Sequence, residues 1–242
     1  MDGGVAISAS RGVDGGVAVS ALRGMDGSVA VSASRDMDGG VAVSASRDMD
    51  GGVAVSAWPR PGLTVDSIIV WSPPSGSSPH VLLVRRGNDP YKGHWALPGG
   101  FVDEMEPLRA AAERELREET GLGVSAASDL FQVGAFADPG RDPRGWTASV
   151  AFAALLEGGE APPVRGGDDA AEARWFGVRE GLPSAADLAF DHPKILAEAF
   201  RALAARAATG EARGDLRDAL KGAARRLEEG LDTDPTMPFA KV

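Results

Sequence analysis

The sequence predicts an α/β protein: an α/β/α sandwich around a mixed β-sheet, with a repetitive N-terminal extension and a helical C-terminal tail. Three observations predict it. Apolar stretches of strand length precede a strongly helical segment, further such stretches follow it, and a second helix with one apolar face comes after those. Strands on both sides of a central helix suit a sheet covered on both faces.

Residues 1–60 are five copies of a 12-residue unit, starting at Met1, Val13, Met25, Met37 and Met49. Each copy opens as Met/Val-Asp-Gly-Gly/Ser-Val-Ala and carries a Val-Ala-Val/Ile-Ser-Ala alternation of strand type. Its largest side chains are isolated Val, Ile and Leu. They stand against an ordering cost of roughly 1–2 kcal/mol per backbone residue. The extension is therefore expected to be disordered, with a small stacked β-array as the alternative. Four copies begin with Met, which leaves Met25, Met37 and Met49 open as starts.

The texture changes near Pro59, and residues 61–208 are expected to form the folded domain. Residues 63–71 and 80–86 read as strands separated by a Pro/Ser/Gly turn, and Asn88-Asp89-Pro90 ends the second. Trp95-Ala96-Leu97-Pro98-Gly99-Gly100 leads to a helix over 107–120. Pro107 suits its first turn and Gly121 its left-handed cap. Strands are expected at 130–137, 146–156 and 173–178. Asp191-His192-Pro193 then opens a helix with Ile195, Leu196, Ala199, Phe200 and Leu203 on one face. In the tail, residues 209–242, Leu216, Leu220, Ala223, Leu227 and Leu231 recur at helical spacing. That stripe is open to two uses, capping the domain or contacting a second copy in a homodimer.

Composition narrows the function classes. A net charge of −10 argues against general nucleic-acid binding, which needs a basic face. It leaves room for a small phosphorylated substrate, because a bound metal reverses the local sign. No cysteine is present, which excludes thiol nucleophiles, disulfides and cysteine-based zinc sites. With three histidines in all, carboxylates are the main candidate ligands, favouring Mg²⁺ or Mn²⁺. No apolar run approaches the ~20 residues of a membrane span, and the N-terminus lacks the pattern of a signal peptide. A cytoplasmic protein without membrane partners is expected.

In the central helix Glu115, Glu118 and Glu119 lie at i, i+3 and i+4, on one face. Like charges at that spacing repel, and the last helical turn disfavours acidic groups. A cation bound among them would offset both costs. On the helix alone, a solvated charged face with Glu113–Arg117 and Arg114–Glu118 pairs accounts for the pattern equally well.

The flanking residues break that tie. Gly100, five residues, Glu106, seven residues, then Arg114-Glu115-Leu116-x-Glu118-Glu119-x-Gly121-Leu122 match the Nudix box in full. At average residue frequencies such a match arises by chance on the order of 10⁻⁷ in a chain this long. The chain resembles the Nudix hydrolase family over residues 63–208. The resemblance implies the α/β/α fold, and hydrolysis of a pyrophosphate bond in a nucleoside diphosphate derivative. It implies Mg²⁺ (or Mn²⁺) held by Glu115, Glu118, Glu119 and the carbonyl of Gly99. Arg114 would orient a glutamate of the box, while Glu106 and Gly121 look structural. For the general base, Glu115 is the first choice, and Asp168, Asp169 and Glu172 in a later loop are the alternatives.

Three outer segments bear on the substrate. Residues 88–101, the turn Asp138-Pro139-Gly140-Arg141-Asp142-Pro143-Arg144-Gly145, and Gly167-Asp168-Asp169 through Phe176 with Phe190-Asp191-His192 are similar to bacterial ADP-ribose pyrophosphatases of this superfamily. The same segments occur in related sensor proteins. Arg141 and Arg144, with Arg86, are the candidate substrate-binding residues, since arginine forks suit phosphates and ribose hydroxyls. The turn also allows both turn arginines to pair with Asp138 and Asp142 instead. His192 reads as a helix-start residue, and Trp175 and Phe176 as core. The expected reaction is ADP-ribose plus water giving AMP and ribose 5-phosphate. Two alternatives stay open: house-cleaning of a nucleoside triphosphate, and a Nudix-derived sensor of ADP-ribose or an NAD metabolite. The tail lacks a recognition-helix and wing pattern.

Overall fold

The computed structural model describes residues 60–74, 77–123, 130–207 and 211–233. In the repeats it describes only β1 (Ile7–Ser8), β2 (Val19–Arg23), β3 (Val29–Ala33), β4 (Ala45–Arg47) and β5 (Val53–Val55). The chain divides into two compact units, Met1–Pro61 and Gly62–Val242. In the first, β1, β2 and β3 form one antiparallel sheet and β4 pairs with β5. Ser8 pairs with Ser20 and Ser20 with Ser32, so the register steps by one repeat per strand. The disorder expected for the rest of residues 1–60 lies outside the described residues.

The second unit is built on a seven-stranded mixed sheet. Its strands are β6 (Gly62–Ser72), β7 (His80–Arg86), β8 (Trp95–Ala96), β9 (Gly99–Phe101), β10 (Phe131–Phe136), β11 (Thr147–Glu157) and β12 (Ala170–Gly177). The order is β10-β11-β6-β7-β12, with β8 on β7 and β9 on β6. β11 runs parallel to β6 from Thr147 opposite Gly62 to Glu157 opposite Ser72, and the other pairs are antiparallel. β8 and β9 were not expected. They are two and three residues long and include Gly99 and Gly100, so pairing with β7 and β6 rather than local propensity makes them strands.

Alternation along β6 sorts its side chains between two layers. Val65 and Ile69 pack with α1 (Leu108–Thr120) through Ala111, Ala112 and Leu116. Ile68 and Val70 face α2 (His192–Arg206) and α3 (Glu211–Thr233). Both faces are covered, so β6 is buried without a break from Thr64 to Val70, polar Thr64, Asp66 and Ser67 included. The expected sandwich is the observed one. Among the described residues no helix is long and apolar enough to cross a membrane.

The helix ends follow their local chemistry. Gly121 takes φ 70° and donates its N–H to Arg117 O. Pro107 stands just outside α1 with extended backbone (φ −64°, ψ 136°), one position earlier than the first-turn place expected. β12 begins at Ala170, three residues before the strand expected at 173, because a bulge between Ala170 and Glu172 interrupts its alternation.

In α3, Leu216, Leu220, Ala223 and Leu227 are buried in the same core as Ile195, Leu196 and Phe200 of α2. The tail stripe therefore caps the domain. Gly214, within α3, has open space where a Cβ would stand. Gly214→Ala is expected to raise stability by roughly 0.5–1 kcal/mol, the helical penalty of glycine. Urea unfolding checks this, and a loss of stability would mean the position is packed.

Candidate active site

A cavity of about 320 Å³ opens where β6, β9, α1, the loop before β11, the loop before β12 and the start of α2 meet. That size suits a small ligand. Its walls are dominated by acidic and basic side chains: Asp66, Asp103, Glu115, Glu119, Asp142, Asp168 and Asp169 against Arg86, Arg114, Arg141 and Arg144.

The acidic wall rests on α1 and β9. Glu119 is buried, and its Oε2 accepts the Gly99 N–H at 2.9 Å. Burial pushes its pKa up to about 8. Glu115 is raised as well, by burial that its Arg114 partner only partly offsets. A Cβ on Gly100 would stand 2.5 Å from Glu115 Oε1, so glycine here lets that carboxylate lie against β9. Glu118 sits apart. Its side chain is 41% exposed and it does not line the cavity.

Arg114 joins these groups. Its Nε and Nη2 form a fork on Glu106 at 2.9 and 2.8 Å. Nη1 donates to Glu115 at 2.7 Å and to Glu118 at 3.3 Å, and Nη2 also reaches Phe101 O. The hydrogen bonds from Arg114 hold the Glu106 carboxyl at about 2. Glu106 thus fixes the arginine that orients Glu115.

The loop before β12 closes over the end of α1. Arg165 and Gly167 donate their N–H groups to Thr120 O and Glu119 O, satisfying terminal helix carbonyls. This carries Asp168 and Asp169 to the cavity wall. Asp168 adopts φ 49°, a strained value for a residue with a side chain, and its charge acts on Glu115. Asp169 is engaged by Asn88 Nδ2 at 2.8 Å. Glu172, past the bulge, does not line the cavity.

The basic wall is more heavily paired than the sequence suggested. Arg141, expected as a substrate-binding residue with pairing to Asp138 or Asp142 as the alternative, is buried and forms a bidentate pair with Asp191 instead. Arg144 pairs with Asp142 through Nε and Nη2 at 3.0 and 2.7 Å. Its guanidinium lies 5.2 Å from the Phe101 ring centre and 5.4 Å from that of Phe190. Arg86 approaches the Phe190 ring at 4.9 Å and donates to Pro90 O. Burial and the neighbouring Arg144 lower the Arg86 pKa. Phe190 itself is held at φ 53°.

Sequence reasoning missed Asp66, a carboxylate inside an apolar strand. It is buried, accepts the Ser149 hydroxyl, and burial raises its pKa. The available signal was an acidic residue on a strand with both faces covered. His192 is also more than a helix start. Its Nδ1 accepts the Leu97 N–H at 3.0 Å, so the proton of the neutral ring sits on Nε2, 3.4 Å from Asp66 Oδ1.

Charging His192 would break the Leu97 bond in a buried site, and burial lowers its pKa to about 3. Below about pH 6.5 the unfolded chain binds a proton that the folded chain refuses. This group's contribution to stability is therefore intact above pH 6.5 and declines towards pH 3, by ~1.4 kcal/mol per pH unit. Asp66 acts with the opposite sign, since its folded pKa is raised. His192→Asn keeps an acceptor for Leu97 and is expected to show a shallower loss of stability on acidification. Parallel pH dependence in variant and parent would contradict this.

The cavity's donor set suits a hard divalent cation: carboxylate oxygens and the backbone at Gly99, with no sulfur available. The desolvated carboxyls Glu115 and Glu119 are the groups a cation would neutralise. Among the described residues no three acidic or histidine side chains are gathered closely enough to hold an ion as they stand. Arg114 and the Gly99 N–H engage Glu115 and Glu119 instead.

Comparison with known proteins bears on this geometry. Residues 63–199 match the family model of the NUDIX domain. Over 141 residues the chain is 42% identical to the ADP-ribose pyrophosphatase of Methanocaldococcus jannaschii, covering 58% of this chain and 74% of that one. Over 148 residues it is 37% identical to the ADPR responsive transcriptional repressor NtrR of Acinetobacter baylyi, covering 60% of this chain and 56% of that protein. Among solved structures, the NUDIX domain of Shewanella oneidensis NrtR complexed with ADP ribose superposes with a TM-score of 0.51 at 29% identity. That match covers 61% of this chain and 91% of that chain.

Proposed function

The chain belongs to the Nudix family and is a Nudix hydrolase, and from this premise we propose that it hydrolyses ADP-ribose to AMP and ribose 5-phosphate with Mg²⁺ or Mn²⁺. The observation that carries the reading is the cavity's pairing of two desolvated glutamates, Glu115 and Glu119, with an arginine-flanked aromatic, Phe190. The first suits a metal-held diphosphate and the second the rest of a nucleotide. The 42% identity to an ADP-ribose pyrophosphatase supports the substrate.

Glu115, Glu118, Glu119 and the Gly99 carbonyl would hold the cation. When bound, it supplies charge neutralisation of the diphosphate and a lowered pKa for water. Glu115 is the first choice for the base, because Arg114 fixes its carboxylate at the cavity wall. It takes one proton from the attacking water as the new P–O bond forms. The bridging P–O bond breaks, and the leaving phosphate takes the electron pair. Asp168 is the alternative base, lining the same cavity in a strained conformation. Asp169 is a weaker candidate with Asn88 on its carboxylate, and Glu172 weaker still, outside the wall. Arg86 and Arg144 would meet the nucleotide, since two cations close together on one ring favour an anionic ligand.

A second reading has its own support. The similarity to an ADPR responsive repressor favours an ADP-ribose sensor. Against it stands α3, whose apolar stripe is buried on α2 as part of the domain core. The test of substrate is kcat/KM for ADP-ribose, NADH and oxidised dGTP measured side by side with Mg²⁺. ADP-ribose is expected to lead, and a large preference for the triphosphate would refute the assignment.

A further inference from the structure

The loop between β10 and β11 is fastened to the first turn of α2 at two points. Arg141 donates Nε and Nη2 to the Asp191 carboxylate at 3.0 and 2.7 Å, with side chains only 4% and 0% exposed. Three residues earlier, Asp138 pairs with Lys194. Under the guanidinium lies Asp66 of β6, 3.8 Å from Nη2 and fixed in turn by the Ser149 hydroxyl of β11. A surface loop is thereby tied through one buried arginine to both the sheet and a helix.

The fastened loop also holds Arg144, three residues after Arg141. Asp142 accepts the backbone N–H and the guanidinium of Arg144. This places the half-exposed Arg144 head between the rings of Phe101 and Phe190 at the cavity wall. A buried bidentate arginine pair contributes little net stability, because desolvation offsets the attraction. Its geometry is nevertheless directional, and Lys does not reproduce the fork.

We propose that the Arg141–Asp191 pair is a positioning device for substrate selection: it sets the loop so that Arg144 meets the nucleotide. Arg141 itself then acts through Arg144 and does not contact substrate. The proposal rests on the nucleoside diphosphate reading above.

The test compares Arg141→Lys, Asp191→Asn, Arg144→Ala and the double variant Arg141→Lys/Arg144→Ala, all in the full chain, with ADP-ribose and Mg²⁺. A misplacement of ~1 Å can cost ~10²-fold, and here KM is expected to rise at least about tenfold in each single variant. The kcat of Arg141→Lys and Asp191→Asn should stay within about threefold of the parent. The double variant should be no worse than Arg144→Ala alone, since both changes act on one contact. Unfolding midpoints identify any variant that fails to fold, and Asp191→Asn then carries the test in place of Arg141→Lys. Effects that multiply in the double variant, or a fall in kcat at unchanged KM, would overturn the proposal. Unchanged KM in variants of an active parent refutes the device alone. A parent that neither binds nor cleaves ADP-ribose refutes the substrate reading and the device with it.

Discussion

Glu119→Gln is expected to lower ADP-ribose hydrolysis by roughly 10²–10³-fold while leaving the fold at least as stable as the parent. The activity loss follows from the proposed role. A ligand carboxylate that helps hold the cation supports several kcal/mol of charge stabilisation, and each ~1.4 kcal/mol is tenfold in rate. The stability result follows from the structure. Glu119 is 8% exposed, and its burial disfavours the charged form. Glutamine removes that charge, keeps the shape, and retains an oxygen to accept the Gly99 N–H. Glu118→Gln is the companion variant. It should also lose activity if the exposed Glu118 turns towards the ion on binding. Chemical denaturation alongside steady-state rates checks both. Undiminished activity in the two variants would disprove the metal assignment, and a destabilised Glu119→Gln would show that the charge is compensated in the folded chain.

Gly99→Ala is expected to lose about 3 kcal/mol or more of folding stability. A Cβ there would lie 2.1 Å from Val65 O and 3.0 Å from Asp66 Cα. Both are backbone atoms of β6, the strand that pairs with β9 and lies at the centre of the sheet. No side chain can rotate to make room, so the two strands must separate, beyond the 1–3 kcal/mol of ordinary overpacking. The Gly99 N–H to Glu119 would be disturbed with them. Gly123→Ala is the control, because nothing stands within 4 Å of its added carbon. Urea midpoints measure both. A loss below about 1 kcal/mol for Gly99→Ala would mean that β9 is not held against β6 as described.

What the sequence revealed about the site was what local geometry encodes. Glu115, Glu118 and Glu119 share a helix, so a 3.6-residue period and the sign of the helix dipole made the cluster visible. Gly121 was visible for the same reason. The distant contacts were not. Asp66 and Ser149 meet only because β6 and β11 run parallel in one register, across 83 residues. Arg141 was expected to face the substrate, or else to pair within its own turn, whereas its partner Asp191 lies 50 residues away. Glu172 was grouped with Asp168 and Asp169 by proximity along the chain, but it lies past the bulge in β12 and outside the cavity wall. β8, only two residues long, and β9, three residues of which two are glycine, exist because β7 and β6 are there to pair with them.

Catalysis at this cavity is read out by the products it forms. Purified protein is mixed with ADP-ribose, with Mg²⁺ or with excess chelator, and AMP and ribose 5-phosphate are quantified over many turnovers. Equal amounts of both products are expected with Mg²⁺ and none with chelator. Tight binding of ADP-ribose without turnover in Mg²⁺ or Mn²⁺, or turnover that ignores the chelator, would rule out metal-dependent catalysis here.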